Sequence, residues 1–458
     1  MKVIICGAGQ VGFNIARYLS TEASDITVVD QRADIVQKAA DSLDVQGIVG
    51  YASHPDVLAE AGADKADMLI AVTHMDEINM IACQVAHSLF DIPTKIARVR
   101  SQSYLNPVWS DLYGSGNLPI DVIISPEVEV AQAIARRFSV PGAFDVMPMA
   151  DGKVTLVGVR CTDDTPILDT PLWQLTELFP DLAISIGGIW RQGKGVVPED
   201  GERLLAGDDV YFVADTAHVE RAMAAFGHEE KTARRVVILG GGNIGLYLAK
   251  LLETEAEHLA LRVIEMDRDR AAQVAQALDH SVVLCGSALD QEVLEEVNIE
   301  TAETVVAVTD DDETNILSSL LAKRNGCRRA VTLINNASYA SLTGPLGIDA
   351  VVNPRSITVS KILQHVRRGK IRKVHPVAEG FAEAIEAEAL ETSGLVGVPL
   401  RDAHLPDGVL VGAVVRAGKV HIAHGGTVIR PGDQMILFAE QAAVRRLEKL
   451  FSVKLEYF

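Results

Sequence analysis

The chain is poor in cysteine and has no long hydrophobic run, and these absences exclude several classes of protein. Its five cysteines lie far apart, without the close spacings of disulfide frameworks or zinc sites. We interpret each as a small buried apolar group in a reducing cytoplasm. Apolar runs such as residues 409–415 stop well short of the roughly 20 residues that a membrane-spanning helix needs. The first residues lead directly into a glycine-rich motif, so we expect no signal peptide and a soluble, intracellular protein.

Basic residues are also scarce. The sequence has 42 Lys and Arg against 62 Asp and Glu, which gives a net charge of −20. Because such a surface repels phosphate backbones, we expect no nucleic-acid partner. The apolar fraction of 48% is that of a folded globular protein. A chain of 458 residues is too long for one core and indicates about three or four domains.

The most informative feature is an internal duplication. Residues 7–12 read Gly-Ala-Gly-Gln-Val-Gly after an apolar run, and residues 240–245 read Gly-Gly-Gly-Asn-Ile-Gly after another. Downstream, matching residues lie 236 positions apart: Gly50/Gly286, Leu58/Leu294, Asp67/Glu303, Thr73/Thr309, Asp76/Asp312, Glu77/Glu313 and Asn79/Asn315. A duplicated ligand-binding unit with no further block for chemistry indicates a sensor rather than an enzyme.

Each copy alternates apolar strands with helical patterns, which predicts a parallel sheet with helices on both faces. In the first copy the predicted strands are Lys2–Cys6, Ile26–Val29, Ile48–Val49, Met68–Val72 and Ile96–Val99. In the second they are Val236–Leu239, Arg262–Glu265, Val282–Leu284, Thr304–Val308 and Ala330–Ile334. The fold class is therefore α/β, with two tandem Rossmann-like, doubly wound parallel-sheet domains.

A helix and a β-rich segment follow each copy. Ser125-Pro126 and Asn353-Pro354 predict helix starts in which the Ser or Asn side chain caps free N–H groups. The segments beyond are rich in Val, Gly and Pro and predict small β-rich α+β domains; we interpret Glu383–Ala389 as a strand, although its composition suits a helix. The predicted divisions are a nucleotide-binding domain 1–124, a helix 125–142, a β-rich domain 143–228, a nucleotide-binding domain 232–352, a helix 353–369 and a β-rich domain 370–458.

The glycine motifs have the context that dinucleotide binding requires: strand, glycines, then helix. The first Gly permits a tight turn, the second lets pyrophosphate approach, and the third lets the helix pack on the strand. Asp30 and Glu265 end the second strand of each copy and can accept hydrogen bonds from ribose hydroxyls. A carboxylate there favours NAD(H) over NADP(H), although Arg32 and Arg268 lie close behind. Adenine nucleotides meet the same groups, and a fold that has lost its ligand is the remaining alternative.

Other polar residues end neighbouring strands. Thr73 and Thr309 either touch nucleotide or only cap the next helix. Arg98 ends the fifth strand of the first copy, where a guanidinium can pair with phosphate, but the second copy has Leu333 or Ile334 there. The two sites are therefore chemically unequal. The acidic run 310–313 is interpreted as a solvated helix start rather than a metal site, so we expect no metal.

Together these motifs resemble the cytosolic regulators of potassium conductance, the RCK family, over essentially the whole chain. The resemblance implies a non-enzymatic regulatory subunit that binds NAD(H), with ATP and ADP as further ligands. It also implies a homo-oligomer, a dimer of dimers, on the inner face of the cell membrane beneath a separate membrane-spanning potassium-conducting subunit. The nucleotide contacts it implies are Gly7, Ala8, Gly9, Gln10, Val11, Asp30, Tyr51, Thr73, His74 and Arg98, and in the second site Gly240, Gly241, Gly242, Asn243, Ile244, Glu265 and Thr309.

Two other functions remain open at this point. Both motifs also fit an NAD-dependent dehydrogenase, but the 12 histidines show no catalytic pairing and we find no proton-transfer residue. His74, the one beside the predicted site, is interpreted as a nucleotide neighbour or a surface residue. A structural oligomerisation scaffold with vestigial pockets is the second alternative.

Overall fold

The computed structural model describes residues 1–20, 24–114, 116–178, 182–199, 201–256, 258–366, 371–377 and 380–451. The chain forms two compact units. The first comprises Met1–Val130 and Asn353–His365, and the second comprises Ala131–Val352 and Val366–Phe458. None of the helices within the described ranges is both long and apolar enough to cross a membrane.

The first Rossmann-like domain is a six-stranded parallel sheet in the order β3-β2-β1-β4-β5-β6. The strands are β1 Lys2–Cys6, β2 Asp25–Asp30, β3 Gln46–Val49, β4 Met68–Ala71, β5 Thr94–Arg98 and β6 Val122–Ile124. The helices are α1 Gln10–Ser20, α2 Ala33–Ser42, α3 Pro55–Glu60, α4 Asp76–Phe90 and α5 Pro126–Phe138. Strand order reverses between β1 and β4, which is where ligands of open parallel sheets bind.

The first small domain is an antiparallel five-stranded sheet in the order β10-β9-β11-β8-β7. Its strands are β7 Asp145–Met149, β8 Val154–Arg160, β9 Ile184–Arg191, β10 Lys194–Val196 and β11 Asp209–Asp215. Two helices accompany them, α6 Leu172–Leu178 and α7 Val219–Ala225.

The second Rossmann-like domain repeats the first, with the order β14-β13-β12-β15-β16-β17. The strands are β12 Arg235–Leu239, β13 Ala260–Glu265, β14 Val282–Cys285, β15 Thr304–Ala307, β16 Arg329–Leu333 and β17 Ala350–Val352. The helices are α8 Asn243–Glu255, α9 Arg268–Ala277, α10 Gln291–Glu296, α11 Asp312–Arg324, α12 Ala337–Thr343 and α13 Pro354–Val366. The predicted fold class, two tandem doubly wound domains with small β-rich partners, is confirmed.

The second small domain has the order β18-β19-β22-β20-β21 and is also antiparallel. Its elements are β18 Ile371–Val377, β19 Ala382–Glu388, β20 Val409–Arg416, β21 Lys419–Ile422, β22 Gln434–Glu440 and α14 Gln441–Leu450. The strand interpretation of Glu383–Ala389 is confirmed, because β19 pairs with both β18 and β22.

Within the second unit the two small domains share one hydrophobic core. Residues of β8 and β11 pack with residues of β19, β20 and β22 in a single buried cluster. Two glycines permit this close packing: a Cβ on Gly187 would lie 1.9 Å from the ring of Phe438, and one on Gly412 would lie 2.8 Å from Val213. Polar contacts join the same domains, since Glu386 accepts the N–H of Ala150 at 2.8 Å.

Three expectations need correction. The helix after Ser125 has 13 residues and ends at Phe138, earlier than predicted, whereas the end predicted near Gly369 for the helix after Asn353 lies outside the described residues. Asn353 does cap its helix, but the Ser125 hydroxyl is buried without a partner and only its carbonyl accepts the Glu129 N–H. Four cysteines are buried as expected, whereas Cys285 is exposed because it ends the edge strand β14.

Candidate functional site

The glycine loop of the first copy connects β1 to α1 and forms the floor of what we call the first crevice, bounded by Gly7, Asp30, Thr73 and Arg98. Gly7 has φ +108°, and its N–H donates to the carbonyl of Val29 at 2.7 Å. The helix packs directly on this turn, since a Cβ on Gly12 would lie 1.8 Å from the Gly7 oxygen. The first and third glycines are therefore required by the fold itself.

The fold does not require a glycine at Gly9 or at the equivalent Gly242. A Cβ built on Gly9 or on Gly242 meets no atom within 4 Å, and neither residue has a positive φ. Both face open space at the start of a helix, where free N–H groups and the helix dipole favour an anion. A missing side chain at this point fits the close approach of a pyrophosphate.

Asp30 and Glu265 accept hydrogen bonds from the glycine loops and also face the crevices. Asp30 accepts the N–H groups of Ala8 at 2.8 Å and Arg32 at 3.0 Å. Glu265 accepts that of Gly241 at 2.7 Å through its longer side chain. A Cβ on Gly241 would lie 3.1 Å from the Glu265 carboxylate, which explains why the second copy has glycine where the first has Ala8. A carboxylate oxygen accepts more than one hydrogen bond, so both acids retain capacity for a ribose hydroxyl.

Thr73 and Arg98 are brought together by an asparagine on α4. Asn79 is fully buried; its Oδ1 accepts the Thr73 N–H at 2.8 Å, and its Nδ2 donates to the Arg98 carbonyl at 2.9 Å. Thr73 bonds to Asn79 through its hydroxyl as well, at 2.7 Å. The cap of α4 is Met75, so the threonine links strand ends rather than capping a helix.

Arg98 has a hydrogen-bond donor without a partner. Its Nη2 donates to the Thr73 carbonyl at 2.6 Å, while its Nε is buried and has no hydrogen-bond partner. Burial and the nearby positive charge of Arg100 lower the pKa of Arg98. A phosphate oxygen would satisfy the unpaired N–H and the charge together.

The second crevice, bounded by Gly240, Glu265 and Thr309, repeats this arrangement without the arginine. Asn315 accepts the Thr309 N–H at 2.9 Å and donates to the Leu333 carbonyl at 3.1 Å. Leu333 is buried, so its side chain offers nothing to a phosphate. Two acidic residues at the start of α11 serve the fold: Asp311 caps the helix, and Asp312, its first residue, accepts the N–H groups of Asn335 and Asn336.

The remaining predicted residues surround the loops. Tyr51 follows β3 beside the end of β2, with half its surface exposed and its ring 5.1 Å from that of His54. His74 is exposed next to Thr73. The residues that open the helices, Gln10 and Val11 on α1 and Asn243 and Ile244 on α8, lie at the crevice floors.

Two arginines that the sequence analysis missed also contact the loops. Arg355, in the first turn of α13, lies 3.0 Å from the side-chain oxygen of Gln10. Arg270, in the first turn of α9, donates to the Gly241 carbonyl at 2.8 Å and lies 3.4 Å from Asn243 Oδ1. Asn79 and Asn315 were visible as a repeated pair, but no spacing connects Arg355 with Gln10.

Comparison with protein families finds matches in both halves of the chain. The TrkA-N domain model matches residues 3–126 and 236–354, and the TrkA-C domain model matches residues 384–452. The chain belongs to the TrkA family. The predicted resemblance is thereby confirmed, and the family covers both crevices.

Relatives called Trk system potassium uptake protein TrkA match over their full length. The protein of Azorhizobium caulinodans is 52% identical and that of Halomonas elongata 43%, each over 100% of both chains. That of Vibrio alginolyticus is 42% identical over 98% of both chains. These relatives are named as potassium uptake proteins and not as enzymes.

Solved structures show the same fold at low sequence identity. The GsuK channel matches with a TM-score of 0.61 and 17% identity over 98% of this chain and 78% of that chain. The GsuK channel bound to NAD gives 0.59 and 17% over the same shares, and the GsuK RCK domain gives 0.59 and 16% over 98% and 94%.

Proposed function

We propose that the protein is a cytosolic regulatory subunit that gates a membrane potassium-uptake protein when NAD(H), ATP or ADP binds in its crevices. The observation that carries the proposal is the first crevice. There an open glycine, a carboxylate and a half-buried guanidinium with an unpaired Nε–H lie at adjacent strand ends. The names of the full-length relatives support the potassium-uptake role, and NAD binding by the GsuK channel supports the choice of ligand.

We propose that different residues of the first crevice bind different parts of the nucleotide. Asp30 would bind the adenosine ribose, the loop at Gly9 and the start of α1 would bind the pyrophosphate, and Arg98 would neutralise phosphate charge. The carboxylate at Asp30 disfavours a 2′-phosphate, so we propose NAD(H) before NADP(H). Tyr51 offers an exposed aromatic surface for a base.

Regulation requires that the nucleotide bind two arrangements of the protein with different affinity. A tenfold preference supplies about 1.4 kcal/mol for each site, so several coupled sites are needed for a firm switch. The duplication supplies two crevices in each chain, and a homo-oligomer built as a dimer of dimers multiplies them. The partner we propose is the transmembrane Trk subunit at the inner face of the cell membrane.

Calorimetric titration of the whole protein with NADH, NAD, NADPH, ATP and ADP tests the binding step. We expect Gly9→Val to abolish binding in the first crevice and Gly242→Val to abolish it in the second, because each valine side chain would occupy the space proposed for the pyrophosphate. Neither side chain would overlap the protein itself. Asp30→Ala should weaken binding in the first crevice only. No binding of any nucleotide by the wild type would overturn the proposal in favour of a scaffold.

Potassium uptake tests the regulatory step. In membrane vesicles that contain the transmembrane Trk subunit, NADH or ATP should change the uptake rate with wild-type protein. The double variant Gly9→Val/Gly242→Val should remove that dependence while thermal unfolding remains unchanged. A nucleotide response that persists in the double variant would show that the crevices are not the regulatory sites.

A further inference from the structure

In both glycine loops the residue that begins the helix accepts a hydrogen bond from an arginine side chain. Gln10 follows Gly9, Asn243 follows the equivalent Gly242, and each begins its helix. Arg355 Nη1 lies 3.0 Å from Gln10 Oε1, and Arg270 Nη2 lies 3.4 Å from Asn243 Oδ1. The two arginines come from different elements, α13 and α9, so the duplication of the chain does not explain the coincidence.

The side chain of Arg355 starts from a fixed backbone. Asn353 Oδ1 accepts the N–H groups of Arg355 at 3.0 Å and Ser356 at 3.1 Å, which defines the first turn of α13. Further along, Lys361 pairs with Glu129 of α5 at 3.2 Å. The guanidinium therefore extends to Gln10 from an anchored helix.

The first turn of a helix is an unfavourable place for a positive charge, because the helix dipole is positive there. The other copy shows the favourable choice. Glu127 occupies the position equivalent to Arg355, directly after the helix-starting proline, and it pairs with Arg100 at 2.8 Å. The two equivalent helix starts thus carry opposite charges. Helix stability does not explain the arginine at position 355.

Neither guanidinium has a carboxylate partner in the part of the chain that the structure describes, although the sequence contains 62 acidic residues. Both are held by neutral oxygens. Arg355 contacts one side-chain amide, and Arg270 contacts the Gly241 carbonyl and the side-chain amides of Asn243 and Gln273. A cation held only by neutral acceptors keeps its full attraction for an anion.

We propose that Arg355 binds the phosphate groups of a nucleotide in the first crevice, and that Arg270 does so in the second. The inference rests on the proposed nucleotide binding and adds residues to it. In the second crevice Arg270 supplies the positive charge that Leu333 cannot. In the first, a phosphate would engage the start of α13, which belongs to the same compact unit as the loop.

The test for Arg355 uses the full-length Gly242→Val protein, in which only the first crevice is open. We titrate it with NADH, ADP and adenosine before and after Arg355→Gln. The affinity for NADH and ADP should fall about tenfold, as for loss of one charge-assisted hydrogen bond, and that for adenosine should not change. Arg355→Lys should give a smaller loss, because it keeps the charge without the planar fork.

Lys419→Gln is the matched control, since it removes one positive charge from the exposed strand β21 and should change nothing. Equal NADH affinity in Arg355→Gln and its parent would overturn the inference while leaving the proposed function intact. An equal loss for adenosine would also overturn it, because it would show a structural role. No binding by the parent or the wild type would instead reject the proposed function.

Arg270→Gln in the Gly9→Val protein tests the second crevice in the same way. A fall in ADP affinity with unchanged adenosine affinity supports the assignment. Tighter ADP binding would overturn it for this crevice, because it would show that Arg270 fills the phosphate position rather than contributing to it.

Discussion

At the scale of single residues, the five cysteines show how position decides reactivity. Burial raises the pKa of Cys327 to about 11 and that of Cys83 to about 12, and it raises the pKa of Cys6 still further. Cys285 differs because it ends an edge strand and is exposed. The thiolate is the nucleophile, so a buried thiol with a raised pKa is inert near neutral pH.

We therefore expect a maleimide to modify one cysteine of the native protein, and Cys285→Ser to remove that reaction. Mass spectrometry of the intact chain gives the number of adducts. In denaturant all five cysteines should react, which controls for the reagent. Any adduct on the native Cys285→Ser protein would contradict the burial of the other four.

At the scale of elements, each Rossmann-like domain joins two strand ends through one asparagine. Asn79 on α4 and Asn315 on α11 are both fully buried, and each bonds to the threonine that follows one strand and to a carbonyl at the end of the next. Four hydrogen bonds depend on each side chain. The repeat of this network in both copies shows that it belongs to the fold and not to the ligand.

Replacing either asparagine by alanine should cost about 2–4 kcal/mol of unfolding free energy, because buried groups lose their partners. Urea unfolding followed by circular dichroism measures the loss. Asn117→Ala is the control: the side chain of this exposed asparagine makes a single hydrogen bond, to the Asp111 carbonyl, and its loss should cost about 0.5 kcal/mol. A loss below that of the control at Asn79 or Asn315 would refute the structural role.

At the scale of the whole molecule, the sequence predicts those structural features that are determined by residues close together along the chain. Buried parallel strands read as apolar runs, and the glycine motifs fix the turn between β1 and α1, so both sheets and the loops were predictable. The hydrogen bond between Arg355 and Gln10 depends on where α13 packs, 345 residues further along the chain. The cap expected at Ser125 failed for a similar reason, since packing buries its hydroxyl.

The shared core of the two small domains was likewise not predictable, because nothing in either segment shows that their sheets pack together. Gly187 and Gly188 are adjacent on β9, yet only Gly187 lies against Phe438. A Cβ on Gly188 would lie 3.5 Å from Val377, an ordinary contact. Val377 also belongs to the shared core, so the pair separates the close overlap with Phe438 from the strand propensity of the residues.

Gly187→Ala should lower the unfolding free energy of the whole protein by about 1–3 kcal/mol, because its methyl group would overlap the buried Phe438 ring. Gly188→Ala, with the same chemical change, should stay within about 0.5 kcal/mol of the wild type. The measurement is the urea midpoint of each variant under identical conditions. Since Phe438 belongs to the second small domain, a selective loss at Gly187 would show that packing between the two domains contributes to stability. Equal midpoints for the two variants would contradict the close packing of Gly187 against the Phe438 ring.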